Sequence, residues 1–280
     1  MVRLPCQAGA FYEKSPDALR KQIEACFLHE FGPRKLPRVE DGSRSLISLI
    51  CPHAGYMFSG PVAANGYYFA AQDVKPNTVI ILGPNHTGYG SGVSLMVEGA
   101  WRMPFGDVQV DLELAKEIQR ASELIDLDEN AHRFEHSIEV QLPFLQYVYG
   151  QKFSIVPICM MMQDLETGRD VGESIAKAAS GKNVLIVAST DMSHYEPQKT
   201  AETKDRLAIN AILRLDAGEL QLTVESNNIS MCGYGPVSAA IIASRKLGAT
   251  QSRLLAYRTS GDITGDRSQV VGYASLAITK

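Results

Sequence analysis

Thr78-Val-Ile-Ile-Leu82, followed without a spacer by Gly83-Pro-Asn-His-Thr-Gly88, is a short apolar run that ends in turn residues. A run with no polar alternation predicts a strand covered on both faces, as in a parallel or mixed sheet. Val184-Leu-Ile-Val187 has the same character and leads into Ser189-Thr-Asp-Met-Ser-His194. Ser45–Cys51, Val93–Val97, Phe153–Ile158, Arg253–Tyr257 and Val270–Ile278 read as further strands.

Between the runs lie helix-periodic segments, and this alternation predicts an α/β fold with a mixed or mostly parallel central sheet flanked by helices. Ser59 is expected to cap a helix that has Pro61 in its first turn and runs to Gln72. Asp111 is expected to cap Leu112–Ala121, and acidic residues open a helix over Asp164–Ala179. Lys199–Leu215 and Val237–Leu247 follow, the latter ended by Gly248 in a left-handed turn. Ser137–Tyr149 is also periodic, with Pro143 beginning or kinking it. No repeat, low-complexity tract or linker divides residues 1–280, so a single domain is expected, with Gly32–Ser45 as a mobile loop.

A formal net charge of −4 and the lack of a clustered basic face exclude nucleic acid as the expected partner. The basic stretch Arg34–Arg44 is interrupted by Pro, Gly and acidic residues and reads as a solvated loop. Five cysteines without C-x-x-C spacing predict reduced thiols. The first residues carry no apolar signal core, and no apolar run reaches membrane-spanning length, so the expectation is a cytoplasmic protein without a membrane partner.

The chemistry collects after the strands. His53 follows the first in Cys51-Pro-His-Ala-Gly-Tyr56, His86 the second, and His194 the run that ends at Ala188. Ligands of open α/β sheets bind at the carboxyl ends of strands, so these three imidazoles are expected to converge there as metal ligands. Cys232, in Ser230-Met-Cys-Gly-Tyr-Gly-Pro236, stands at a helix entry that can lower a thiol pKa and make it a ligand or nucleophile; packing is the alternative. Cys51 and Cys159 read as buried packing residues. Tyr56, Asn85, His136, Tyr195 and Tyr234 flank these motifs and are expected to line the pocket, and Asp262 follows a strand end as well.

Pro52-His-Ala-Gly-Tyr56, Gly83-Pro-Asn-His86, Glu135-His-Ser-Ile-Glu139, Asp191-Met-Ser-His194 and Met231-Cys-Gly233, in this order and with Gly9-Ala-Phe-Tyr12 near the start, resemble the signatures of the Memo family across the whole chain. That family in turn resembles the class III extradiol ring-cleaving dioxygenases of LigB-like fold, which hold Fe(II) with two histidines and a glutamate. The resemblance implies that His53 and His86 are metal ligands and that His194 is a further ligand or the acid/base. Cys232 stands where the carboxylate is expected. It implies one metal ion, iron, copper or zinc, and a softer ligand set that favours Cu(I) or Zn over Fe(II). Asp191 is expected to orient His194.

The leading expectation is a metal-dependent redox enzyme acting on an unidentified small molecule. The alternative is a non-enzymatic module binding a peptide, phosphorylated or not, in the same pocket; family resemblance also implies a radical-SAM protein as a pathway partner. A third reading takes His132-Arg-Phe-Glu-His136 as an H-x-x-E-H zinc-peptidase motif, with Glu135 activating water. The chain has neither a P-loop nor a G-x-S-x-G elbow.

Overall fold

The computed structural model describes residues 1–40 and 44–280. Among them twelve strands join one sheet: β1 Val2–Arg3, β2 Leu46–Cys51, β3 Thr78–Pro84, β4 Val93–Leu95, β5 Ala100–Met103, β6 Gly106–Val110, β7 Asp126–Leu127, β8 Ser154–Met160, β9 Val184–Ser189, β10 His194–Glu196, β11 Gln251–Thr259 and β12 Val270–Thr279. The helices are α1 Pro16–Leu28, α2 Tyr56–Ala71, α3 Leu112–Ala121, α4 Leu142–Tyr149, α5 Leu165–Ala179, α6 Gln198–Leu213, α7 Ala217–Ser226, α8 Tyr234–Lys246 and α9 Ser260–Thr264.

The centre of the sheet is parallel in the order β6-β8-β3-β9-β2, and β12 closes on β2 antiparallel. Every residue of β2, β3 and β9 is buried. Their alternate side chains enter two different cores. Ile80, Leu82, Ile186 and Ala188 join the core under α3, α5, α6 and α8. Val79, Ile81, Leu185 and Val187 join the core under α1, α2 and α4. Two-sided burial is the physical reason these runs contain no polar alternation.

Several helix boundaries follow the expected chemistry. The Asp111 carboxylate accepts from Leu114 N and opens α3, Asp164 does the same for α5 through Thr167 N, Pro143 begins α4, and Gly248 turns at φ +95° after α8. The α2 start is a correction. The helix begins at Tyr56, with Gly55 as its cap and no side-chain capping bond, so the local signal at Ser59 was misleading; Pro61 lies inside the helix and the Ser59 hydroxyl donates to Ala54 O. Packing sets this start. A Cβ on Gly66 would lie 2.8 Å from Cys51 Sγ, so α2 sits directly on β2 and leaves only Pro52–Gly55 to connect them. Of the expected Gly32–Ser45 loop, positions 41–43 lie outside the described residues, and residues 32–40 form no helix or strand. No helix among the described residues is long and apolar enough to cross a membrane.

Asp111 also accepts from the buried Thr78 hydroxyl, so it ties the cap of α3 to the start of β3. Asp111→Ala is expected to lower unfolding stability by about 1–2 kcal/mol in urea denaturation, and Asp111→Ser to recover part of it. Equal stability of wild type and Asp111→Ala would show that the cap contributes nothing.

Candidate metal centre

Cys51 pairs with Ser189 and Leu82 with Ala188, so β2 and β9 end level, and β3 runs on beside them to Pro84. The loops that leave them deliver His53, His86 and Asp191 to one place, and His194 opens β10 alongside. Nε2 of His53 lies 3.2 Å from Cys232 Sγ, and one donor atom each from His53, His86 and Cys232 lies within 4.8 Å of the others. Donors held about 2.0–2.3 Å from a single ion are at most about 4.6 Å apart, so this spacing suits one ion.

Hydrogen bonds decide which nitrogen each ring offers. The Ser189 hydroxyl donates to Ser137 O (2.6 Å) and accepts from Gln141 Nε2 (2.7 Å). Gln141 is itself oriented, since its amide nitrogen also meets the Pro52 carbonyl and its oxygen accepts from Tyr67 OH. The Ser189 proton is therefore committed, and His53 Nδ1, 2.8 Å away, must donate to the oxygen. His53 is 2 % exposed, and burial, followed by the neighbouring His136, His86 and His194, holds its pKa well below the usual histidine range. It is a neutral ring with its Nε2 lone pair aimed at Cys232.

His86 has the same arrangement with a carboxylate. Its Nδ1 lies 2.9 Å from Glu135 Oε1, which also accepts from the backbone N–H groups of His136 and Ser137. Burial works against ionisation of Glu135, but the His86 hydrogen bond, the charges of His86 and His136 and the Ser137 N–H bring its pKa down to about 2. An ionised carboxylate only accepts, so Nδ1 donates to it, and in the neutral ring Nε2 is the nitrogen left free. His194 Nδ1 donates to the Ser230 carbonyl at 2.8 Å, again leaving Nε2 unprotonated in the neutral ring. Three imidazoles are thus clamped through Nδ1 and open at Nε2, the arrangement that prepares histidine to bind a metal.

The structure brings His53, His86, His136, His194 and Tyr195 to one cavity of about 730 Å³, with Phe11 as a further wall. His136 stacks on His86 at 4.6 Å between centroids and meets His53 edge-on. Other expectations are corrected. Asp191 does not bond His194; its carboxylate accepts from His53 N at 2.8 Å and its Oδ2 lies 4.0 Å from His53 Nε2. Tyr56 turns into the core and donates to Val140 O, while Tyr234 packs against the opposite core. The Asn85 oxygen accepts from Thr87 and Gly88 and its amide donates to Tyr89 O, so it shapes the loop rather than lining the cavity. Asp262 closes a capping box with Thr259, and Asp266 lines the cavity instead.

Cys232 does not have the lowered pKa its helix-entry position suggested. Burial, then the charge of Asp191, pushes its thiol up, and Asp191 N donates to Sγ at 3.2 Å. Without a metal, its S–H faces the His53 lone pair. Cys51 and Cys159 are fully buried, as expected of packing residues.

The zinc-peptidase reading fails on geometry. His132 and His136 do not share a helical face: His132 ends a short 3-10 turn and is fully buried against Trp101, whereas His136 faces the cavity. Among the described residues, His132 joins no group of donors that could hold an ion. Ser189, Gln141 and Ser230 are functional positions that motif reading passed over, and Glu135, expected to activate water, instead holds His86. Ser189 and Ser230 stand inside quoted stretches, but their bonding partners are distant in sequence.

A family model described as Memo-like protein matches residues 3–277. A MEMO1 family protein of Methanopyrus kandleri is 52% identical over 282 residues, covering 100% of both chains, and one of Methanothermobacter thermautotrophicus is 54% identical over 279 residues, covering 99% of this chain and 100% of the relative. An uncharacterized protein from Escherichia coli K12 superposes with a TM-score of 0.58 at 13% identity, over 83% of this chain and 99% of its own. At that identity the likeness concerns the fold alone.

His132 makes a pH test that is separate from the candidate metal ligands. Burial, then the charge of Arg3, lowers its pKa to about 4. Between about pH 6.5, its ordinary value, and pH 4, the unfolded chain takes up a proton that the folded ring refuses, so stability falls as the pH falls. Replacing His132 by Phe removes that contribution. Relative to wild type, His132→Phe is expected to lose about 2 kcal/mol less unfolding free energy between pH 7 and pH 5. Parallel pH profiles for the two proteins would contradict the assignment.

Proposed function

The chain belongs to the Memo family, and we propose that this member carries one metal ion on His53 Nε2, His86 Nε2 and Cys232 Sγ, for redox chemistry on a small organic molecule in the adjoining cavity. The observation that carries this reading is the clamping of the imidazoles through Nδ1 by Ser189, Glu135 and the Ser230 carbonyl. A structural histidine has no need of a bare Nε2 aimed at a thiol.

The donor set suits a soft ion. Two imidazoles and one thiolate favour Cu(I) or Zn over Fe(II), relative to a face of two histidines and one carboxylate. When bound, the ion would supply an open coordination position beside the cavity and, if copper or iron, one-electron chemistry. The thiol would lose its proton on binding, and the Asp191 carboxyl, whose Oδ2 lies 4.0 Å from His53 Nε2, is the acidic group beside this pair that could take it. Burial raises its carboxyl to about 6, so near neutral pH it can exchange a proton. His194, held by Ser230, presents its Nε2 to the cavity either as a further ligand or to move a proton on the bound molecule.

The alternative of a phosphopeptide-binding pocket has less support. Among the described residues that line the cavity there is no lysine or arginine to receive a phosphate.

Elemental analysis of untagged protein purified anaerobically is expected to find one equivalent of metal, lost in His53→Ala and Cys232→Ala. Ser189→Ala keeps all three ligands but releases the His53 clamp. It is expected to weaken metal binding about 10- to 100-fold. It is also expected to cost about 1–3 kcal/mol of stability because Ser137 O and Gln141 lose a buried partner, so affinity is compared on folded protein well below its Tm. Unaltered metal affinity in Ser189→Ala would remove the argument from the clamp. Cys232→Glu is expected to shift the ratio of Cu(I) to Fe(II) dissociation constants towards iron. An unchanged ratio would mean that the sulfur is not a ligand.

A further inference from the structure

The cavity lining combines two unlike groups of side chains. One is the cluster of imidazoles, with Cys232 against His53. The other is Phe58, Tyr195 and Tyr273 together with Asp266 from the β11–β12 connection. The Asp266 Oδ1 accepts from Ser268 N and Oγ, while its Oδ2 has no side-chain partner among the described residues. The lining residues carry two carboxylates, Asp191 and Asp266, and among those described no lysine or arginine. Arg267 is exposed next to Asp266 but does not line the cavity.

Tyr195 is the second, independent observation. The pairing of β10 with β12 slips between His194 and Glu196, and Tyr195 is the residue left out of register, with φ +57°. A bulky L-residue in the left-handed region is disfavoured, and bulges of this kind re-aim side chains beside functional sites. Here the strained backbone gains no core packing in return, because Tyr195 is 72 % exposed at the cavity mouth. Its ring face is left for something that enters.

We infer that the cavity selects an organic amine: a molecule with an aromatic or apolar body that lies against Tyr195, Phe58 and Tyr273 and an ammonium group directed to Asp266. Ring faces and carboxylates both attract cations, and both disfavour an entering carboxylate or phosphate. The end of the molecule away from the ammonium then reaches the imidazole cluster. The inference names the ligand class for the site proposed above, and it requires the cavity to be the binding site but not the identity of the ion.

Three matched probes test it by titration calorimetry at low salt and about pH 8, where unperturbed imidazoles are neutral. Tyramine, tyrosol and 4-hydroxyphenylacetate share a phenol ring and differ in the charge at the other end. Tyramine is expected to bind about three- to tenfold more tightly than tyrosol, with 4-hydroxyphenylacetate weakest. Asp266→Asn should erase the advantage of tyramine over tyrosol, and added salt should shrink it. Tyr195→Ala should weaken all three probes, and Tyr195→Phe should not. Binding of the carboxylate as tightly as the amine, a preference that survives Asp266→Asn, or no binding of any probe would each overturn the inference. Metal content measured on the same preparations, as purified and after chelation, separates it from the metal reading. An amine preference in protein that never holds metal would leave the inference standing and remove the ion. Metal-loaded protein that prefers the carboxylate would do the reverse.

Discussion

Everything at the site depends on the fixed register in which three parallel strands reach the same edge of the sheet. β2 and β9 are adjacent, β9 and β3 are adjacent, and their registers place Cys51, Ser189 and Leu82 in neighbouring rows. One residue of slip would turn each strand's side chains to the opposite core. That error is strongly opposed here, because both faces are buried in interlocking apolar clusters. The precision of the site is therefore inherited from the core. Ser189 makes this concrete: it is the last residue of β9, and its hydroxyl is at once the acceptor for His53, the acceptor for Gln141 and the donor to Ser137.

A second constraint holds the other half of the site. Glu139 is fully buried, paired with Arg3, and accepts from Cys6 N, Gln7 N and Tyr12 OH. Arg3 also donates to the carbonyls of His132 and Glu135 and lies over Trp101. A buried ion pair is weak evidence for stability, because desolvation offsets much of its attraction. Its consequence here is positional. The segment from His132 to Glu139 has little regular structure of its own, and these bonds fix the backbone from which Glu135 reaches His86.

Much of this was readable from residues alone, for a definite reason. Strands such as Thr78–Leu82 and Val184–Val187 are marked by composition, and histidines immediately beyond them are marked by position, so the convergence of His53 and His86 required only the rule that parallel strands reach the same edge of the sheet. The side-chain cap was equally visible at Asp111, and the acidic opening of the helix at Asp164 marked its start, although Asp164 is its cap and not its first residue. What escaped were features without a local signal. The start of α2 depends on a backbone cap at Gly55 and on contact with Cys51. The short strands β5 and β6 form a hairpin whose pairing, not composition, defines it. Tyr56 looked like a pocket residue because it adjoins His53, but a helix begins there and turns its side chain into the core. Asp191 was assigned to His194 from a spacing of three, whereas the turn between them sends its carboxylate back to the His53 amide.

The pKa of Cys232 shows why position along a helix is an insufficient guide to a thiol. A helix N-terminus favours a thiolate only if nothing else opposes the charge. At Cys232 the surroundings are dry and Asp191 lies beside it, and both favour the thiol. The same features that keep the sulfur protonated alone give it a reason to accept an ion. A cation at His53 and His86 would reverse the electrostatic balance, and a coordinated thiol gives up its proton. A proton and a bound cation would therefore compete for one sulfur. The neutral S–H facing the His53 lone pair keeps the three donors aligned without requiring a buried charge.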